Sequence, residues 1–165
     1  MKTIFFIRHA KSSWSDMNAA DIDRTLNNRG LRDAPFMAKL LRGKGNKIDQ
    51  FISSPATRAF STAQFFAAEF GVAKDDIQIE KFIYHSYAPE ILFFVKKLDD
   101  ALDTVCIFGH NPTMTSIANS FSEEYIVNVP TCGILKVESN SKTWTEFTED
   151  NAKLTDFYFP KQYFE

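Results

Sequence analysis

Residues 4–13, IFFIRHAKSS, run four apolar strand formers straight into an arginine, a histidine and a lysine. Ile4 to Ile7 read as the end of a buried strand, because β-branched and aromatic residues suit a pleated, packed surface. A core has no use for the cations that follow. Arg8, His9 and Lys11 therefore mark a place where the chain meets something anionic.

Two further stretches occupy the same position relative to a strand. Phe51 and Ile52 form a short second strand ending in Ser53-Ser54-Pro55, with Arg58 just beyond. Thr104 to Phe108 form a buried strand ending at Gly109-His110-Asn111-Pro112. In an open parallel sheet the carboxyl ends of the strands line the ligand crevice. Two arginines and two histidines on three crossovers would converge there, a set that folding alone does not require.

The remaining elements fit that sheet. Leu31, Ala34, Ala38 and Leu41 repeat at helical spacing over residues 28–42, with Pro35 expected to interrupt or kink the helix and Gly43 to stop it. A second helix is expected over residues 56–69, capped by Ser54 with Pro55 in its first turn. Ile77 to Ile79 read as a strand. Pro89 and Glu90 open a helix carrying Ile91, Leu92, Val95 and Leu98 on one face, and residues 113–121 form another. Ile134 to Val137 and Trp144 to Phe147 read as a hairpin turning at Asn140 and Ser141. The expectation is an α/β fold: one three-layer domain spanning residues 1–165, a mostly parallel sheet with helices on both faces, and a C-terminal antiparallel hairpin.

Composition narrows the function. The formal charge is −2, from 19 basic against 21 acidic residues, so no global basic field recruits nucleic acid or a membrane surface. Cys106 and Cys132 lack the spacing of a zinc site or a disulfide framework, which fits a reducing cytoplasm. The N-terminal apolar run is too short for a signal peptide, and no stretch reaches transmembrane length. No metal-ligand cluster or Gly-x-Gly-x-x-Gly is visible, so no metal or cofactor is expected and the pattern argues against a dinucleotide-binding protein. Oligomeric state is not legible.

The blocks FIRHAKSSW (6–14), SSPATRAFSTA (53–63) and IFGHNP (107–112), with DRTLNNRG (23–30) and NVPTCG (128–133), resemble the signature segments of the histidine phosphatase, or phosphoglycerate mutase-like, superfamily. The short SixA-like branch of phosphohistidine phosphatases is the nearest in pattern. The resemblance implies that His9 is a nucleophile accepting the phosphoryl group, that Arg8 and Arg58 clamp its oxygens, and that His110 donates to it. Phosphoryl transfer spreads charge over three equatorial oxygens, which fixed donors and bidentate arginines suit. Neighbouring cations are expected to lower the His9 pKa and keep it a neutral nucleophile. The superfamily commonly has glycine after Arg-His, where this chain has Ala10, as the SixA-like branch often does.

Two points stay open. Related mutases and acid phosphatases place a carboxylic acid between the second and third motifs, and here only a short segment separates Arg58 from His110. His85, Glu80, Glu90, Asp16, Asp21 and Asp23 are candidates, with none assigned; Asp23 and Arg24 are expected to pair and order the loop. Lys11 and His85 are candidate substrate-binding residues. The substrate class is phosphohistidine on a signalling or phosphotransfer protein, a small phosphorylated metabolite handled by the same site, or a phosphorylated partner merely bound.

Overall fold

Adjacent residues of β1 (Lys2–Arg8) point to opposite faces, and the computed structural model, which describes residues 1–164, buries both faces. Ile4 and Phe6 pack into one apolar cluster with Ile52, Val105 and Ile107, covered by α3 (Ala88–Val95) and α4 (Thr113–Phe121). Phe5 and Ile7 pack into the other with Phe51, Cys106 and Phe108, covered by α1 (Asn28–Gly43) and α2 (Thr57–Glu69). That two-sided burial makes a continuous apolar run, rather than an alternating one, the right signature for this strand.

The six strands lie in the order β3-β2-β4-β1-β5-β6, where β2 is Gln50–Ser53, β3 Gln78–Ile79, β4 Thr104–Gly109, β5 Ile134–Ser139 and β6 Ala152–Tyr158. β3, β2, β4 and β1 are parallel; β5 runs antiparallel to β1, and β6 to β5. This is the expected three-layer α/β arrangement. In α4, Met114, Ile117, Ala118 and Phe121 are buried at helical spacing. Each large side chain so placed contributes about 1.5–3 kcal/mol.

Several boundaries differ from expectation, and each has a cause. α1 runs unbroken through Pro35, because Ala34 before it and Met37, Ala38 and Leu41 after it bury one continuous face. α2 begins at Thr57, so Pro55 precedes it, and its N-cap, Ala56, has no side-chain cap. Leu98 lies beyond the end of α3 while still packing on the same cluster.

The hairpin is the one misplaced element. β5 pairs with β6, and Trp144–Glu146 is a turn of 3-10 helix between them. Trp144 and Phe147 are fully buried on the same side, three residues apart, which is a helical spacing. The Trp144 indole N–H donates to the Asp99 and Leu102 carbonyls at 3.1 and 2.9 Å. Burial of a large aromatic, not strand pairing, fixes that segment.

The first three crossovers leave from one edge of the sheet, and the Thr131–Gly133 turn enters β5 at the same edge. Backbone bonds lock these ends together: His9 N–H to Gly109 O, Ser54 N–H to Phe108 O, Cys132 N–H to His9 O and Arg8 N–H to Gly133 O, all 3.0–3.1 Å.

Candidate active site

The four residues singled out at strand ends come together. His9 and His110 face each other with ring centroids 5.2 Å apart. His9, Arg58 and His110 are buried, and Arg8 is partly so. Arg58 is the second residue of α2, where unpaired backbone N–H groups and the helix dipole favour an anion.

Arg8 and His110 are each tied at one atom and Arg58 at two, and each keeps another nitrogen unpaired. Arg8 donates through Nη1 to the Val129 carbonyl at 3.0 Å. Arg58 donates through Nη1 to the Asp21 carbonyl at 2.7 Å and through Nη2 to Asp21 Oδ2 at 3.1 Å. His110 Nε2 lies 2.8 Å from Ser54 Oγ, which also accepts the Ala56 N–H at 3.2 Å. Ser54 is fully buried and its hydroxyl has no other acceptor among the described residues, so its proton is satisfied at His110 Nε2, which leaves the ring's own proton on Nδ1. Arg8 Nε, Arg58 Nε and His110 Nδ1 are buried with no hydrogen-bond partner. Buried donors are nearly always paired, so three orphans around one histidine mark a place built for acceptors.

His9 has the complementary state. Its Nδ1 lies 2.7 Å from the Ala10 carbonyl, which can only accept, so the neutral ring carries its proton there and keeps a lone pair on Nε2. Burial lowers the His9 pKa to about 3, against the pull of the Ala10 hydrogen bond; His110, Arg58 and Arg8 add to the lowering. Burial first, then Arg58, lowers His110 to about 4. The expected neutrality holds, but desolvation rather than the neighbouring cations is its main cause. Ala10 is buried and needs no glycine conformation, since among the described residues Cys132 alone of the non-glycines has positive φ. The Ala10 N–H donates to Thr62 Oγ1 at 3.0 Å, and Thr62 donates to the Arg58 carbonyl at 2.8 Å, joining the nucleophile loop to α2.

The remaining candidates separate. Asp21 reaches the site, where the Tyr84 hydroxyl donates to its Oδ2, and the Tyr84 bond and Arg58 lower its pKa to about 2. It is a carboxylate, not a proton donor. Arg24 pairs with Asp21 at 3.1 Å rather than with Asp23. His85 is exposed, its ring tilted at 51° against that of Tyr84 with centroids 4.3 Å apart. Lys11 is half-buried in the loop after β1, where its carbonyl accepts the Asn27 N–H. Tyr84, whose ring meets His110 edge-on at 5.5 Å, had no signal in the sequence beyond adjacency to His85. Ser54, read as a helix cap, is instead the tether of His110. Among the described residues no group of three or more His, Cys, Asp or Glu side chains is placed to hold a metal ion. No helix among them is long and apolar enough to cross a membrane.

The sequence model of the histidine phosphatase superfamily (branch 1) matches residues 4–81. A solved structure of a SixA protein from Agrobacterium tumefaciens, described as a candidate phosphohistidine phosphatase, superposes with a TM-score of 0.80 at 26% identity, over 96% of this chain and 98% of the other. A protein histidine phosphatase SixA complexed with tungstate superposes with a TM-score of 0.81, over 97% and 98% of the two chains; at 18% identity that likeness shows the fold. A protein of Mycobacterium tuberculosis is 28% identical over 167 residues, spanning 94% of this chain and 100% of its own.

Proposed function

We propose that this chain is a member of the histidine phosphatase superfamily that removes phosphate from phosphohistidine borne on a protein, through a phosphoryl group held transiently on His9. The observation that carries this reading is the set of three unpartnered buried donors, Arg8 Nε, Arg58 Nε and His110 Nδ1, around a neutral imidazole. In the first step the His9 Nε2 lone pair forms a bond to phosphorus while the bond from phosphorus to the substrate nitrogen breaks, and the substrate ring, protonated on its other nitrogen, leaves as neutral imidazole. The donors take up the charge on the equatorial oxygens. In the second step water attacks phosphorus, the bond to His9 Nε2 breaks, and phosphate leaves with the proton passing to it or to solvent. A mere phosphate binder has no need of a histidine locked with its lone pair free.

Two observations support phosphohistidine over an alkyl phosphate. The carboxylate that reaches the site, Asp21, is ionised, so the alkoxide of a sugar phosphate would depart unaided, whereas an imidazole is a far better leaving group. Trp14 and Met17 lie on the loop after β1, Tyr87 on the loop before α3, and Tyr125 and Val127 on the loop before β5, each at least 72% exposed. Apolar groups gathered around a site suit a macromolecular substrate. A small phosphomonoester would use the same chemistry without needing that rim.

The test is turnover on a phosphohistidine protein against a panel of small phosphomonoesters, with the enzyme quenched during turnover. The expected result is faster turnover of the protein and an enzyme label stable in alkali and lost in acid, absent from His9→Ala. An alkali-labile label surviving in His9→Ala would pass the role to Ser12, Ser13 or Ser53 and overturn the mechanism.

A further inference from the structure

Arg58 enters the site already engaged. Its two outer nitrogens are spent on one residue, Nη1 on the Asp21 carbonyl and Nη2 on the Asp21 carboxylate, and its Nε is buried and unpaired. A guanidinium gripped at two points has its plane and rotation fixed, so its Nε edge can face only one way. Asp21 is in turn held from two other elements. Arg24 Nε donates to its Oδ1 at 3.1 Å, and Arg24 Nη1 donates to Ser12 Oγ at 2.8 Å. The Tyr84 hydroxyl, from the 3-10 turn Lys81–His85, donates to Oδ2.

An exposed ion pair alone holds little, because solvent screens it and ordering two side chains costs entropy. Here the partner is a buried arginine close to Arg8, whose pKa is lowered by burial and then by Arg58, so two cations face each other across the site. Leaving Arg58 without Asp21 would leave a buried charge uncompensated.

We propose that Asp21 is a positioning residue for phosphoryl transfer, fixing the Arg58 guanidinium so that its Nε edge meets the phosphoryl oxygens. This rests on Arg58 binding the phosphoryl group. The rival arrangement is that Asp21 competes with phosphate for Arg58 and is displaced on binding. The two predict opposite effects of removing the carboxylate.

Inorganic phosphate binding, titrated directly, and kcat and KM on the best substrate are measured in the wild type, Asp21→Asn, Asp21→Ala, Arg58→Ala and the Asp21→Ala/Arg58→Ala double variant. Circular dichroism and thermal melts check that each is folded. Asp21→Ala is expected to weaken phosphate binding about 10-fold and to lower kcat/KM by more, a loss that coupled neighbours commonly show. Asp21→Asn keeps the carbonyl tether and the shape, so a smaller loss is expected. In the Arg58→Ala background, removing Asp21 should change neither phosphate binding nor kcat/KM by more than about twofold. Equal or tighter phosphate binding in Asp21→Ala overturns positioning and indicates competition. The same cost with and without Arg58 assigns Asp21 a general structural role and also overturns it. Should Asp21→Ala fail to fold, Asp21→Asn alone and with Arg58→Ala completes the cycle. A wild type that binds phosphate but turns over no phosphohistidine refutes the proposed activity while leaving the cycle readable. One that binds no phosphate refutes both.

Discussion

His9 and His110 are kept neutral by being buried, and that has a consequence for acid. An unfolded imidazole binds its proton near pH 6.5, whereas folded His9 does so at about 3 and His110 at about 4. Between those values only the unfolded chain takes up the proton. The two rings therefore subtract stability progressively as pH falls below 6.5 and contribute nothing above it. The imidazole signals of His9 should stay in the neutral form down to about pH 4 in an NMR titration. A midpoint near 6.5 would show that His9 is solvated rather than buried. The melting temperature should also fall with acid less steeply in His9→Gln than in the wild type. At Arg58, lysine can supply a charge but cannot hold Asp21 with one edge and offer Nε with another. Arg58→Lys should lose about 10²-fold in kcat/KM, and full activity there would mean that Arg58 is no oriented clamp.

At the scale of elements, what was legible in the sequence is what obeys a local rule. Arg8, His9, Arg58 and His110 follow strand ends or head a helix, and the topology gathers such positions at one edge. The Asp21 contact obeys no such rule, because it depends on how the long loop from residue 9 to 27 folds back over α2. Tyr84 depends on a 3-10 turn that shows no apolar period. Trp144 misled because aromatics favour strands, and its burial was decided by the Asp99–Leu102 carbonyls far away in sequence. Gly30 shows how tightly one element bears on the site. A methyl group there would strike the Lys11 carbonyl and come within 3.2 Å of the Leu26 Cβ, so α1 packs directly against the loop carrying His9. Gly30→Ala should cost about 1–3 kcal/mol in denaturant unfolding, because a backbone group rather than a flexible side chain must move. Since Lys11 is only two residues from His9, kcat/KM should fall too; a destabilised variant with unchanged kcat/KM would uncouple α1 from the site.

The whole molecule presents a charged cradle at the carboxyl ends of its parallel strands and exposed apolar side chains on the loops after β1 and before β5. The cradle meets phosphate with arginine and histidine donors, so hydrolysis should survive excess EDTA; loss in EDTA that a divalent ion restores would require a metal in the mechanism. The rim divides the two substrate classes. Met17, on the first loop, and Tyr125 and Val127, on the loop before β5, are largely exposed and take no part in the tethers of His9, Arg8, Arg58 or His110. Exposed apolar side chains on two separate stretches gain nothing from folding, whereas covering them with a partner surface gains about 25 cal/mol for each Å² removed from water. A small phosphomonoester is too short to cover them. Replacing Met17, Tyr125 and Val127 together by serine should therefore raise KM for a phosphohistidine protein about 10-fold or more. Turnover of p-nitrophenyl phosphate should change by less than about twofold, because the cradle itself is untouched. Equal losses on both substrates would place these residues in support of the cradle, and no loss on either would leave the small-metabolite reading as the better account of the site.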